Sequence, residues 1–179
     1  MHKQQPPIVN IVGASGSGKT TLIERLIPEL RSYGFRVGTI KHDVHGFSID
    51  RPGKDSWRHK KAGAAAAMIS SPHKIALVKD VTHDHNPEEL IPLFSGLDIV
   101  LTEGYKRAGK AKVEVFRPEI VPEPLCMEDE HLVALVTDSP PKALRVPAFT
   151  TDDCHGLAEF LVRHFRIRSP SSAQKAERA

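Results

Sequence analysis

The sequence predicts an α/β fold, a mostly parallel sheet with helices on both faces. Two observations carry this. Apolar runs of strand length alternate along much of the chain with segments of helical spacing, the pattern that strand–helix–strand units impose. The first such run, Ile8 to Val12, opens directly into a Gly-rich turn and then an amphipathic helix.

The elements follow in order. Ile8 to Val12 reads as a buried strand. Lys19 to Tyr33 places Leu22, Ile23, Leu26, Ile27, Leu30 and Tyr33 at helical spacing, and Gly34 ends the helix. Pro28 cannot donate to Glu24, so a kink is expected there. Val37 to Lys41 is the next strand, and His42 to Lys54 is loop-like. Asp55 or Ser56 is suited to cap a short helix from Trp57 to about Ala65. Ala66 to Ser70 and Ile75 to Lys79 read as strands around the turn Ser71-Pro72-His73-Lys74. A short helix is expected over Glu88 to Phe94, and a buried strand over Asp98 to Thr102. Lys112 to Phe116 alternates polar and apolar residues and reads as a half-exposed strand. A Pro-rich connection, Pro118 to Pro124, follows. Leu132 to Thr137 and Pro147 to Thr150 are further strands, and Leu157 to Phe165 is an amphipathic helix. With no repeat and no second boundary, one nucleotide-binding domain is expected over 7–168. The polar tail 169–179 is expected to be disordered.

Composition narrows the function. The 179 residues are 40% apolar, enough for one core. Lys and Arg number 25 against 22 Asp and Glu, a net charge of +3, so charge gives no reason to expect nucleic acid or membrane partners. No apolar run approaches the roughly 20 residues that cross a bilayer. The N-terminus runs straight into the first strand and does not read as a signal peptide. Cys126 and Cys154 form no CxxC pair, which suits a reducing cytoplasm.

The chemistry is concentrated after the first strand. Gly13-Ala14-Ser15-Gly16-Ser17-Gly18-Lys19-Thr20 fits GxxxxGK[ST] in full. Glycines let successive backbone N–H groups turn inward around phosphate oxygens, and the following helix points its positive end at the same anion. Lys19 is expected on the β- and γ-phosphates, and the Thr20 hydroxyl on Mg²⁺; Thr21 continues the run as a further nucleotide-binding candidate. The motif lies between a strand and a helix, so the fold class sharpens to a P-loop NTPase three-layer sandwich.

A carboxylate is expected to complete the metal's surroundings. Glu103 ends the apolar run Asp98 to Thr102, and ligands gather at the C-terminal ends of parallel strands. Gly104 would let backbone pass close to the nucleotide. The loop after the second strand offers Asp43, Asp50 and Asp55 as competing carboxylates; Asp50 is taken as the metal candidate. Lys41, Arg51 and Lys54 offer charge to phosphates. His42 with His45, and His83 with His85 around Asp84, have ligand chemistry, but no Cys-rich or HExxH spacing accompanies them.

Several segments together resemble the MobB family of molybdopterin-guanine dinucleotide biosynthesis accessory proteins. They are Gly13 to Thr21, Gly38-Thr-Ile-Lys-His42, Arg51-Pro-Gly-Lys-Asp-Ser56, Lys61-Ala-Gly-Ala64, Leu101-Thr-Glu-Gly-Tyr-Lys106 and Lys112-Val-Glu-Val-Phe-Arg117. The resemblance covers about residues 7 to 166. It implies a GTP-binding homodimer with weak GTPase activity that assists a MobA-type guanylyltransferase, the enzyme that attaches GMP to molybdopterin. Molybdopterin itself is a further candidate ligand. No Asn-Lys-x-Asp or Thr-Lys-x-Asp base-reading motif occurs, so Asp138, after a late strand, is the candidate reader of guanine. The alternating strand 112–117 is the candidate dimer edge. A P-loop small-molecule kinase and a metal-delivery GTPase are the competing readings. The first lacks an Arg-rich lid, and the second would draw on the His loops.

One expectation follows from the motif alone. Lys19→Ala removes a charge-assisted contact to the terminal phosphates and should weaken triphosphate binding by roughly 1.5–3 kcal/mol. Calorimetric titration measures this, and an unchanged affinity would remove the phosphate-loop assignment.

Overall fold

The computed structural model describes residues 5–167; the tail expected at 169–179 lies outside the described residues. The chain packs as two units, residues 43–85 and the remainder on either side of them.

The larger unit holds a six-stranded sheet. Its strands are β1 (Ile8–Val12), β2 (Val37–Lys41), β5 (Ile99–Glu103), β6 (Lys112–Val115), β7 (Leu132–Val136) and β8 (Ala148–Phe149). They lie in the order β2-β5-β1-β6-β7-β8, and every pairing is parallel. The helices are α1 (Lys19–Ser32), α3 (Pro87–Leu90), continued by a 3₁₀ turn Ile91–Phe94, and α4 (Cys154–His164). The 43–85 unit contributes α2 (Asp55–Lys61) and an antiparallel ribbon of β3 (Ala66–Ser70) and β4 (Ile75–Lys79). Among the described residues no helix is long and apolar enough to cross a membrane.

The main core lies on one face of the large sheet. Val9, Ile11, Ile99, Leu101, Val113, Val115, Ala134 and Val136 meet Leu22, Ile23, Leu26 and Leu30 of α1 and Leu157, Ala158 and Leu161 of α4. Each buried side chain of this size contributes about 1.5–3 kcal/mol by leaving water, so α1 is anchored by packing. The helix continues through Pro28. Asp153 caps α4 by accepting from Gly156 N–H at 2.9 Å, and the helix therefore starts three residues before the expected Leu157.

The opposite face is built differently. At one end Ile91 and Phe94 pack on Ile8, Val100 and Ile40. The turn that carries them is started by a capping box: Asn86 Oδ1 accepts from Glu89 N–H and Glu89 Oε2 accepts from Asn86 N–H. From β5 to β6 the chain returns without a helix, through residues 104–111. Irregular backbone over a sheet brings polar groups that need partners. The sheet supplies them from buried side chains. Asn10 Nδ2 donates to the Tyr105 carbonyl at 3.5 Å and its Oδ1 accepts from the Thr102 hydroxyl at 2.7 Å. Glu114 accepts from the N–H groups of Leu125 and Cys126 at 2.6 and 2.9 Å. Burial pushes the Glu114 carboxyl above the usual range, against those two bonds. Lys112, 2% exposed, donates to Asp129 Oδ2 at 2.7 Å.

This corrects the reading of Lys112 to Phe116. The strand is fully buried between β1 and β7 and is neither half-exposed nor an edge. Its charged residues face the second side of the sheet, where they hold connecting segments. The ends of α2 also differ. Lys54 takes the cap position without a side-chain bond, and the Ser56 hydroxyl donates to Asp50 instead.

The 43–85 unit has almost no interior. Among its described residues only Ser56 is buried. It carries eight of the eleven large apolar side chains that stand exposed among the described residues, including Met68, Ile69, Ile75 and Leu77 on the ribbon. Within it Lys60 pairs with Asp80 at 2.7 Å and the Lys61 ammonium lies 4.8 Å over the Trp57 ring.

The buried ion pair gives a stability test. Asp129→Ala leaves the Lys112 ammonium buried without its partner and should cost about 3 kcal/mol, read by urea unfolding. Lys112 and the His131 N–H hold the Asp129 carboxyl below its ordinary value, Lys112 first. A carboxyl lowered on folding stabilises above its unfolded pKa of about 3.9, and that contribution is lost as pH falls through the folded value. The difference between wild type and variant should therefore shrink in acid; a constant difference would reject the ion pair as its source.

Candidate functional site

The site begins where β1 ends. All five residues of β1 are buried, and its neighbours fix what stands beside the loop that follows. Ile11 pairs with Glu103 on one side and Val12 with Glu114 on the other. The C-terminal ends of β5 and β6 thus flank Gly13.

The loop itself is tightly folded. Gly13 has φ +138°, and a Cβ there would lie 2.4 Å from the Val115 carbonyl oxygen and 2.8 Å from Ser17 Oγ, so only glycine fits. Gly16 and Gly18 also have positive φ. The Ser17 N–H bonds the Ala14 carbonyl at 3.3 Å and the Leu22 N–H bonds Gly18, which starts α1. Ser17 is 1% exposed, and its hydroxyl has no hydrogen-bond partner. Lys19 folds back over the loop, its ammonium donating to the carbonyls of Gly13 and Ala14 at 3.2 and 2.7 Å. These are exchangeable contacts for a cation that a phosphate would draw more strongly. Ser15 and Gly16 stand exposed at the loop's tip.

Thr20 and Glu103 meet at the start of α1. The Thr20 hydroxyl donates to Glu103 Oε2 at 2.8 Å. A hydroxyl and a carboxylate beside a phosphate loop form a hard oxygen set of the kind that takes Mg²⁺. The strand end behind them is fixed by the His42 N–H, which bonds the Glu103 carbonyl at 3.0 Å, and by the Gly104 N–H on the Ile11 carbonyl. Tyr105 follows in the left-handed region at φ 54° and stacks on His42 at 4.2 Å. A Cβ on Gly104 would press within 3.2 Å of His42 Cβ, which explains the glycine.

Thr21 faces the other side. It lines a cavity of about 190 Å³ together with Gly18, Arg25, Arg117, Thr151 and Asp152. Arg117, which follows β6, donates from Nε to the Ser17 carbonyl at 2.9 Å. From the sequence, Arg117 is expected only as part of a dimer edge and not at the loop. The signal was the rule that selected Glu103: a charged residue just past the C-terminal end of a parallel strand.

Asp138 is near this cavity, but both of its oxygens are already engaged. They accept from the Thr151 N–H at 2.9 Å and the Thr151 hydroxyl at 2.8 Å. These bonds hold its carboxyl below the usual range, and the Arg117 charge adds to the effect. Arg25 of α1 bonds the Thr151 carbonyl at 3.0 Å and Asp152 at 2.9 Å. Thr151 is thus held at its N–H, hydroxyl and carbonyl.

The remaining candidates belong to the 43–85 unit. Asp50 accepts from the Ser56 hydroxyl at 2.8 Å through Oδ1, while its buried Oδ2 has no hydrogen-bond partner. Asp43 accepts from the His45 N–H, and Asp55 makes a loose surface pair with Arg58 at 3.9 Å. His83 and His85 stack at 4.2 Å.

Known proteins resemble this chain over most of its length. The pattern of the MobB family, described as Molybdopterin guanine dinucleotide synthesis protein B, matches residues 8–138. The chain is 39% identical over 169 residues to a molybdopterin-guanine dinucleotide biosynthesis adapter protein of Escherichia coli, covering 89% of this chain and 94% of that one. It is 38% identical over 138 residues to the adapter protein of Haemophilus influenzae, covering 76% and 77%. A crystal structure of molybdopterin-guanine biosynthesis protein B superposes with a TM-score of 0.71 at 33% identity, over 89% of this chain and 99% of that one.

Proposed function

The chain belongs to the MobB family, and from that premise we propose that it is a GTP-binding adapter in molybdopterin-guanine dinucleotide biosynthesis. In this reading it binds GTP with Mg²⁺, hydrolyses it slowly and assists a MobA-type guanylyltransferase acting on molybdopterin. The observation that carries the reading is the phosphate loop Gly13–Thr20 with Thr20 hydrogen-bonded to Glu103. The close packing of Gly13 on Val115, which leaves no space for a Cβ, and the unpartnered Ser17 hydroxyl fit a tightly wound anion-binding loop.

The residues divide the work. Loop N–H groups and the start of α1 bind phosphate oxygens, and Lys19 exchanges its two carbonyl contacts for the β- and γ-phosphates. Thr20 and Glu103 would hold Mg²⁺, which neutralises charge between those phosphates. Asp138 lies at the nucleoside end, where Thr151 orients its carboxylate and leaves each oxygen a further lone pair for a guanine N–H.

The adapter role rests on coupling. A partner that prefers the GTP-loaded form must itself tighten GTP binding by the same factor. GTP affinity should rise about 5- to 150-fold with saturating MobA. In the same titrations Glu103→Gln should reduce Mg²⁺-dependent binding more than Mg²⁺-free binding. A complex that forms with unchanged GTP affinity would reject the coupling; no complex at all would reject the adapter reading.

In this reading a homodimer would pair through the ribbon of the 43–85 unit, since β6 is buried within the sheet. A two-stranded ribbon is marginal alone, and this one exposes apolar residues on both faces. Met68 and Leu77 are paired across one face, with Ile75 beside them. A second copy is the occupant that the family resemblance implies. Light scattering should give a dimer at high micromolar concentration and a monomer for the Ile75→Glu, Leu77→Glu variant. A monomeric wild type would reject the dimer, and a dimeric variant would reject this interface.

A further inference from the structure

We propose that Arg117 is the α-phosphate ligand of the bound nucleotide and that the cavity beside it receives the ribose. The inference rests on the nucleotide-binding reading above and assigns the part of the site which that reading leaves open.

The strand order separates the two ends of the loop. β5 and β6 flank β1 on opposite sides. Glu103 stands on the β5 side, where it holds Thr20. Arg117 stands on the β6 side. Thr20 and Thr21 are neighbours on α1, so their side chains diverge by about 100°. Thr20 meets Glu103, whereas Thr21 lines the cavity with Arg117 and Thr151. Metal and terminal phosphates therefore belong to one side of the loop and the nucleoside to the other. The phosphate that lies between them is the α-phosphate.

Arg117 is placed to reach it. Its Nε is fixed on the Ser17 carbonyl, and Nη2 lies 3.6 Å from where a Cβ on Gly18 would stand. The guanidinium thus packs directly beside the loop at Gly18. Val115 and Phe116 before it are buried, so the side chain starts from a rigid strand end. The Ile120 and Val121 N–H groups both bond the Arg117 carbonyl, which holds the turn that follows. A guanidinium held at one N–H keeps its Nη donors in a fixed fork, the geometry that suits a phosphate oxygen. The cavity is walled by Thr151, itself clamped by Asp138 and Arg25, so it is preformed.

The test is a titration series with Mg²⁺ present: GTP, GDP and pyrophosphate against wild type, Arg117→Gln and Arg117→Lys. Pyrophosphate lacks both α-phosphate and nucleoside. Arg117→Gln should weaken GTP and GDP by the same factor, about 10- to 100-fold for a lost charge-assisted contact. Pyrophosphate binding should be unchanged, and Arg117→Lys should recover part of the loss. Three results would overturn the assignment: no loss for either nucleotide, a loss confined to GTP, or an equal loss for pyrophosphate. The last would mean that Arg117 only holds the loop's shape. If the Gln variant fails to fold, the Lys variant carries the same comparison through a smaller but equal loss for GTP and GDP. A wild-type protein that binds neither nucleotide would remove the function proposed above as well. Nucleotide binding that is insensitive to Arg117 would remove this inference alone.

Discussion

The position of β1 governs everything at the phosphate loop. It is fully buried and hydrogen-bonded to parallel neighbours on both sides. A strand in that setting cannot slip by one residue without turning its core face outward. Its register with β5 puts Glu103 opposite Ile11, two residues before the loop, and its register with β6 ends at Val12 and Glu114. The Thr20–Glu103 bond and the approach of Val115 to Gly13 are consequences of those two registers. Packing of α1 on the same face then fixes the direction in which the helix leaves the loop.

Much of this was legible because local pattern and tertiary role agree. Ile8 to Val12 and Leu132 to Val136 are apolar in sequence because they are buried on both faces, as parallel strands are. The phosphate loop was legible because its backbone demands glycine at fixed places. β6 was misread for the opposite reason. Lys112 and Glu114 look like the exposed half of an alternating strand. In the structure they face irregular segments whose backbone and side-chain groups need partners, and burial supplies the pairing that water would otherwise give. Pattern alone cannot separate a charge that faces solvent from one that faces a buried loop.

Long-range pairings were illegible for a related reason. Arg117 meets Ser17 across 100 positions, and Arg25 meets Asp152 across 127. Neither pairing leaves a local signature. Asp138 shows the converse. Its place after a strand suggests contact with a base, but nothing local in the sequence signals that the loop around Thr151 also bonds both its oxygens. The helix α2 was half legible. Asp55 and Ser56 have capping chemistry, but Ser56 serves Asp50, so the helix starts on Lys54 without a side-chain cap.

The two sides of the loop also bear on why binding, more than turnover, would be the output of such a protein. Fast GTP hydrolysis usually draws on a cation at the γ-phosphate, where an arginine is worth about 10³–10⁵ in rate. Here the arginine that touches the loop does so at Ser17, on the β6 side, with β1 between it and the side that carries Glu103. The loop's own groups, Lys19 and Thr20, would hold phosphate and metal in the ground state as well as in the transition state. Interactions of that kind tighten the complex without lowering the barrier from it. On the proposed reading, Arg117 holds the nucleotide from the side away from Glu103, which suits a protein whose loaded state is what a partner recognises.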